Sequence, residues 1–392
     1  IAIFAVGFLR GNDWITMFLT SVGLAVSAIP EGLPIAVTIT LSIGVYQMAK
    51  HNAIVKKLAA VETLGSTNVI CTDKTGTLTL NQMRVAKLFC GGKEYSVSGE
   101  GYGKAGVVTA KGSEIALRFD DNQPIAMASM IGALCTESTI ADDGDKWKIT
   151  GDPTEVAMMI AANKLKYTTD GWKIDTDIPF ESENQLMAVR ATKGGLTYNL
   201  AKGAPEKILR RCNSMLDAEG NIIELDNSSI SAETSELSNQ GLRVIAMAYS
   251  VNEKNTLLDF DNLNDLIFAG FAAIEDTVKP EAVSAVTDCN SAGIRVVMIT
   301  GDHPKTASAV GKAIGLGSGK DYPVAVTGHE VDEMTDDDLF GRVPDIDVYA
   351  RVAPNHKYRI VKQLQRHNNT VAMSGDGVND APALKQADIG VA

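Results

Sequence analysis

The stretch VICTDKTGTLTLNQM, residues 69–83, decides the fold. Its apolar start reads as a buried strand over residues 68–72, which delivers one carboxylate, Asp73, at its tip. Lys74 and a Thr75-Gly76-Thr77 turn follow at once. A carboxylate at a strand end, surrounded by hydroxyls and with a cation beside it, suits a nucleophile. Far downstream the pattern alternates: helix 280–292, strand 294–300, helix 304–314, strand 348–352, helix 354–367, strand 370–377. Such alternation implies an α/β fold, a parallel sheet with crossover helices. Ligands of such sheets collect at the carboxyl ends of the strands. The strands end in CTDKTGT, MITGDH and MSGDGVND, so one edge should gather Asp73, Thr300, Asp302, Asp376, Asn379 and Asp380. Residues 85–270, of mixed strands and helices, read as an insertion that folds separately.

Carboxylates ~4 Å apart repel by ~4 kcal/mol at an effective dielectric of about 20, so that edge calls for a cation. Mg²⁺ takes one or two carboxylates plus phosphate oxygens. Asp73 and Asp376 are the expected ligands, with the Thr75 carbonyl as a third. Lys357 would neutralise an incoming phosphoryl group, and Thr300, Gly301 and Thr75 would donate to its oxygens. Asp73 would attack the γ-phosphorus of ATP and form an acyl phosphate. A phosphatase wants an acid two residues after the nucleophile, and Thr75 cannot act as a general base, so the phosphoenzyme should persist. No G-x-x-x-x-G-K-[ST] loop is present, and GSGK at 317–320 is too short to serve as one.

The chain has 392 residues, 45% hydrophobic, with a net charge of −12, enough for two or three domains and the wrong charge for a nucleic-acid binder. Its five cysteines (Cys71, Cys90, Cys135, Cys212, Cys289) are odd in number and form no C-x-x-C pair. A disulfide framework or zinc site is therefore not expected, and a reducing cytosol fits. The start at Ile1 and the end in ADIGVA suggest a piece of a longer protein. Residues 1–9 are apolar and too short to span a bilayer, whereas 15–49 carry a single charge, Glu31, and read as a membrane span. Lys50, His51, Lys56 and Lys57 follow it, as at a cytoplasmic exit. Pro30 and Pro34 flank Glu31 and should unwind the helix, freeing carbonyls near Val26 and Pro30. Free carbonyls beside one carboxylate make a hard-cation site.

Taken together, CTDKTGTLT (71–79), KGAPE (202–206), MITGDH (298–303), ARVAPNHK (350–357) and GDGVND (375–380) resemble a P-type ATPase. Within that family, AIPEGLP (28–34) and the run 52–85 are most similar to the calcium-pump branch. The resemblance implies a haloacid-dehalogenase-like Rossmannoid phosphorylation domain over 51–84 and 271–392, in which Lys74, Asn379 and Asp380 join the catalytic set. It implies an inserted α+β nucleotide-binding domain over 85–270 and an N-terminal transmembrane segment over 1–50, part of a third helix and all of a fourth. The expected function is ATP-driven cation transport, Ca²⁺ first and then Mn²⁺, in a multi-pass membrane protein (of the plasma membrane if prokaryotic) whose other domains are cytoplasmic. Phe180 would stack on adenine, Glu155 would contact the base region, Lys202 and Gly203 would line the pocket, and Arg243 would reach the phosphates, assisted by Arg351. The carbonyls of Val26, Ser27 and Ile29, with the Glu31 carboxylate, would hold the transported ion.

Two positions depart from the family pattern. Gln185 stands where calcium pumps usually carry lysine, and DTVK at 276–279 replaces Asp-Pro-Pro-Arg. Competing readings are a soluble phosphatase of the same fold, a nucleotide-binding module without catalysis, and a monovalent-cation pump. A lipid flippase would lack the acid after the central proline.

Overall fold

The computed structural model describes residues 2–11, 13–28, 30, 32–144, 146–251, 258–317, 322–375 and 380–392. Four expected site residues, Ile29, Glu31, Asp376 and Asn379, lie outside the described residues. The chain divides into two compact units, Ile1–Thr67 and Asn68–Ala392.

The first unit is helical: Ala2–Leu9, Trp14–Ser27, Gly32–Lys50 and Ala59–Leu64. The Asp13 carboxylate accepts the Thr16 N–H at 3.1 Å and starts the second helix. The span Trp14–Lys50 is long and apolar enough to cross a membrane. None of the described residues in its two helices is buried. Five of their hydroxyls, on Thr20, Ser27, Thr38, Thr40 and Ser42, donate to the carbonyl four residues back, whereas the Ser21 hydroxyl has no partner among the described residues. One helix ends at Ser27 and the next begins at Gly32, at the AIPEGLP segment. Pro34 sits in the first turn of the helix that resumes at Gly32, where its missing N–H has no partner to lose. The Pro30 carbonyl is not freed either, because it accepts the Leu33 N–H at 3.0 Å.

In the second unit, a six-stranded parallel sheet is ordered 325–327, 348–350, 295–299, 69–73, 371–374, 389–391. Val69–Asp73 is central, with Asp73 opposite Ile299 on one neighbour and Thr72 opposite Ser374 on the other. Alternate residues of one strand feed opposite cores. Val297 and Ile299 pack with Val69, Cys71, Ile360 and Leu364. Val296 and Met298 pack with Val286, Ala307 and Val310. Helices therefore cover both faces, and the strand ends are left as the open edge. The expected alternation holds at Pro280–Ser291, Arg295–Ile299, Pro304–Ala313, Val348–Ala350, Pro354–Arg366 and Val371–Ser374. The short edge strands Ala325–Thr327 and Ile389–Val391 had not been expected.

Two long strands leave this sheet. Thr79–Cys90 and Leu266–Val278 pair antiparallel, from Thr79 opposite Val278 to Phe89 opposite Phe271. They enter a ten-stranded sheet in which 243–251, 196–203, 186–193 and 173–178 follow Leu266–Val278 in that order. A second contact ties the two sheets' domains. Lys305 Nζ bonds Asn239 Oδ1, and Gly241, at φ +85°, sits so close to the helix Pro304–Ala313 that a Cβ would lie 2.7 Å from the Ala309 Cβ. Only glycine takes that dihedral and that approach together.

Candidate active site and nucleotide pocket

Asp73 ends the central strand, and its two carboxylate oxygens have different partners. Oδ1 accepts the Lys74 N–H at 2.6 Å. Oδ2 accepts from Lys357 Nζ at 2.7 Å, and the same ammonium donates to Asp380 Oδ1 at 2.6 Å. Lys357 is 7% exposed and Asp380 2%. One buried cation thus offsets two carboxylates. Burial pulls the Lys357 pKa down, but its hydrogen bonds to Asp380 and Asp73 and their charges outweigh that and leave it raised. Below Asp73 the strand neighbours are pinned, because Ser374 Oγ donates to Thr72 Oγ1 at 2.9 Å.

Lys74 is not the cation on Asp73. Its side chain is buried and pairs with Asp276 Oδ2 at 2.8 Å and with Asp302. Successive side chains at a strand end point to opposite sides, so the residue next to Asp73 is carried away from it. The Asp276 carboxylate also accepts from Thr79 Oγ1 at 2.8 Å. Asp302 therefore belongs to the Lys74 cluster. Burial lowers the Lys74 pKa, and its bonds to Asp276 and Asp302 reverse the balance and raise it.

The expected phosphate-side donors lie in neighbouring turns. Thr300 is 1% exposed, and its Oγ1 accepts the Asp302 N–H at 3.1 Å. Gly301 is exposed and faces open space. Thr75 is extended and Gly76 has φ +73°, which turns the chain so that the Thr79 N–H closes on the Lys74 carbonyl. Lys279 Nζ donates to the Gly76 carbonyl at 2.5 Å, so the DTVK segment buttresses this turn through its lysine. The Asp73 carboxylate and the Thr75 carbonyl are hard oxygen donors of the type Mg²⁺ takes. Among the described residues no cluster of three His, Cys, Asp or Glu side chains is poised to hold a metal. The cysteines take no part: burial pushes the thiols of Cys71, Cys90 and Cys135 up to about 12.

The ten-stranded domain carries a cavity of about 680 Å³. Glu155, Phe180, Gln185, Lys202, Gly203 and Arg243 all line it. Phe180 is 56% exposed, which sets it apart from a core aromatic. Lys202 is 5% exposed, with Nζ 3.1 Å from Glu155 Oε1 but outside hydrogen-bond alignment. Glu155 Oε2 accepts from Ser138 Oγ at 2.6 Å and Thr136 Oγ1 at 2.9 Å. Burial raises the Glu155 pKa, while the Lys202 charge and these hydroxyls overcome it, so the carboxyl ends below its ordinary value. Gly203 is required by close approach: a Cβ would lie 2.4 Å from the Gln185 carbonyl. Gln185 itself has φ +56°, and its carbonyl accepts the Ala204 N–H at 2.9 Å. Arg243 Nη1 donates to Thr154 Oγ1 at 2.9 Å. Sequence reasoning missed Thr154, Asp152, Met158 and Ile245, which also line the cavity. The signal for the first two was Asp152-Pro153 opening a helix, where the Asp152 carboxylate accepts the Thr154 N–H at 2.8 Å. Arg351 is not among the cavity residues. It is exposed, with φ +50°, and its N–H donates to the Asp302 carbonyl at 3.0 Å beside the parallel sheet.

A family model described as the P-type ATPase cytoplasmic domain N matches residues 125–281, and one for haloacid dehalogenase-like hydrolases matches residues 206–388. Similar curated relatives include a cation-transporting ATPase of Synechocystis sp., 44% identical over 99% of this chain and 44% of the relative. A calcium-transporting ATPase of Bacillus subtilis is 40% identical over 100% of this chain and 44% of its own length. A probable cation-transporting ATPase F of Mycobacterium tuberculosis is 42% identical over 99% of this chain and 44% of its own length. The chain thus spans a little under half of each of these relatives.

Proposed function

We propose that this chain, which belongs to the P-type ATPase family, is the energy-transducing part of an ATP-driven cation pump that is phosphorylated on Asp73. The observation that carries the reading is the Asp73–Lys357–Asp380 cluster at the open end of the central strand. ATP would bind with adenine against Phe180 and its phosphates toward Arg243. An Asp73 oxygen would attack the γ-phosphorus, the bond to the bridging oxygen would break, and ADP would leave. Lys357 would hold the carboxylate in line and offset charge on the transferring group. The residues that would hold Mg²⁺ are Asp73, Thr75 and Asp376. When bound, the ion neutralises phosphate charge. Thr75 offers no base to the product, so the acyl phosphate would persist long enough to be coupled to ion movement. Domain boundaries at 51–84 with 271–392, and at 85–270, fit this division of labour.

Ca²⁺ is the first choice of cargo and Mn²⁺ the second. Support comes from the oxygen donors around AIPEGLP and from relatives named as calcium-transporting. The protein would sit in a membrane as a multi-pass pump, with its nucleotide-binding and phosphorylation domains cytoplasmic.

The test is acid-stable labelling of the full-length protein by γ-labelled ATP while Ca²⁺, Mn²⁺, Na⁺ and K⁺ are titrated. Ca²⁺ or Mn²⁺ should set the label level, and Glu31→Gln should move the ion concentration needed. A label that responds only to Na⁺ or K⁺ would move the assignment to a monovalent-cation pump. Phe180→Ala separately tests the nucleotide pocket. Loss of one aromatic–base stack, about 1–3 kcal/mol, should raise the ATP concentration for half-maximal labelling about 5- to 150-fold without changing the maximum. Unchanged ATP dependence would remove Phe180 from the base site.

A further inference from the structure

His356 is 6% exposed and its ring joins two helices. Nδ1 accepts the Ala353 N–H at 3.0 Å. A ring nitrogen that accepts carries no proton, so the proton of the neutral ring is on Nε2, which donates to Asp332 Oδ1 at 2.8 Å. Ala353 starts the helix Pro354–Arg366, and neither it nor Pro354 offers a side-chain oxygen as a cap. The imidazole supplies from within the first turn the reach-back bond that a Glu or Gln makes in a capping box. The Ala353 carbonyl is held as well, accepting the His356 N–H at 3.0 Å and the Lys357 N–H at 3.3 Å. The residue that sets the helix entry is therefore fixed at both its polar groups.

The ring also has a fitted seat. A Cβ on Gly328 would lie 2.8 Å from His356 Nδ1 and 2.4 Å from the Arg351 carbonyl. Gly328 opens the helix Gly328–Glu333, which also carries Asp332. Lys357, the next residue along, must bring one ammonium within 2.7 Å of Asp73 and 2.6 Å of Asp380, two groups from separate segments. A small rotation of this first turn would move Nζ off one of them.

We infer that His356 is a positioning residue: its Nδ1, by accepting the Ala353 N–H, sets the first turn of this helix and so places the Lys357 ammonium on Asp73. The inference rests on the proposed phosphorylation of Asp73. It is tested in the full-length protein by the rate of phosphoenzyme formation at saturating ATP, read beside the ATP concentration for half-maximal rate. His356→Ala should slow phosphorylation about tenfold or more, in the range that misplacement of a catalytic group produces, and leave the ATP concentration unchanged. His356→Asn puts an acceptor oxygen where Nδ1 was and should restore most of the rate. His356→Gln carries the side chain that makes this reach-back bond in a capping box and should also restore most of the rate. A wild-type rate in His356→Ala would overturn the inference, as would failure of both Asn and Gln to restore the rate. So would a parallel loss of ATP affinity in all three variants, which would mean a general folding role. In each of those cases wild-type labelling would still stand and Asp73→Asn would still be unlabelled. A wild-type protein that forms no phosphoenzyme would instead sink both readings.

Discussion

Asp73→Asn should abolish acid-stable labelling from ATP, a fall of at least about three orders of magnitude, as when the nucleophile of a covalent mechanism is removed. The substitution is nearly isosteric. It removes the attacking oxygen but leaves Lys357 paired with Asp380, so the cluster keeps one ion pair inside the protein. The amide can still accept from Lys357 through its oxygen. The variant should therefore fold and should still bind ATP, because the cavity lined by Phe180 and Lys202 lies in the other sheet. Loss of label with ATP binding intact separates the chemical role of Asp73 from a structural one. Labelling that survives the substitution would place the nucleophile elsewhere.

Lys357→Met should cost both chemistry and stability. Methionine fills the space of the lysine stem and removes its charge. Asp73 and Asp380 would then be left together with no cation between them, and Asp380 is almost wholly buried. Breaking a buried pair by removing one partner costs about 3–5 kcal/mol, and that is the expected loss, read as a lowered denaturation midpoint. The same change should remove most phosphorylation, since the carboxylate loses the group that orients it. The pH dependence of this cost has a definite sign. The Lys357 pKa is raised in the folded protein, because its bonds to Asp380 and Asp73 outweigh burial. Its stabilisation is therefore complete below the unfolded lysine pKa, about 10.4. It fades as pH rises through the folded value. The stability gap between wild type and Lys357→Met should be constant across neutral pH and close only in alkali. A gap that closed near pH 5 would point to carboxylate protonation as the controlling step.

Much of the parallel-sheet domain was legible because apolar runs alternate with helical periodicity and end in acidic turns. The strand that carries Asp73 and the helices at 280, 304 and 354 needed nothing more. The edge strands Ala325–Thr327 and Ile389–Val391 are too short to show a period of two. The helices that follow the first of them did leave signals. Thr327 with Glu330, and Thr335 with Asp338, are capping boxes that a Thr-x-x-acid pattern announces. The site was legible in its members more than in its pairings. Lys74 stands next to Asp73 in the chain, yet the alternation of side chains at a strand end sends it to Asp276 and Asp302. The ammonium on Asp73 comes from Lys357, 284 positions away, a contact no local pattern encodes. The six cavity residues came from resemblance alone. Only the folded chain shows that Phe180 is exposed rather than core, and that Gly203 is fixed by the Gln185 carbonyl.

The most direct measurement is chemical mapping of the trapped intermediate. The full-length protein is phosphorylated with ATP, quenched in acid and treated with borohydride, which reduces an aspartyl phosphate to homoserine, and the peptides are then sequenced by mass spectrometry. The expected result is homoserine at position 73 and nowhere else, dependent on ATP and on the transported ion. Aspartate retained at position 73, with homoserine or a stable phosphate at another residue, would contradict the account.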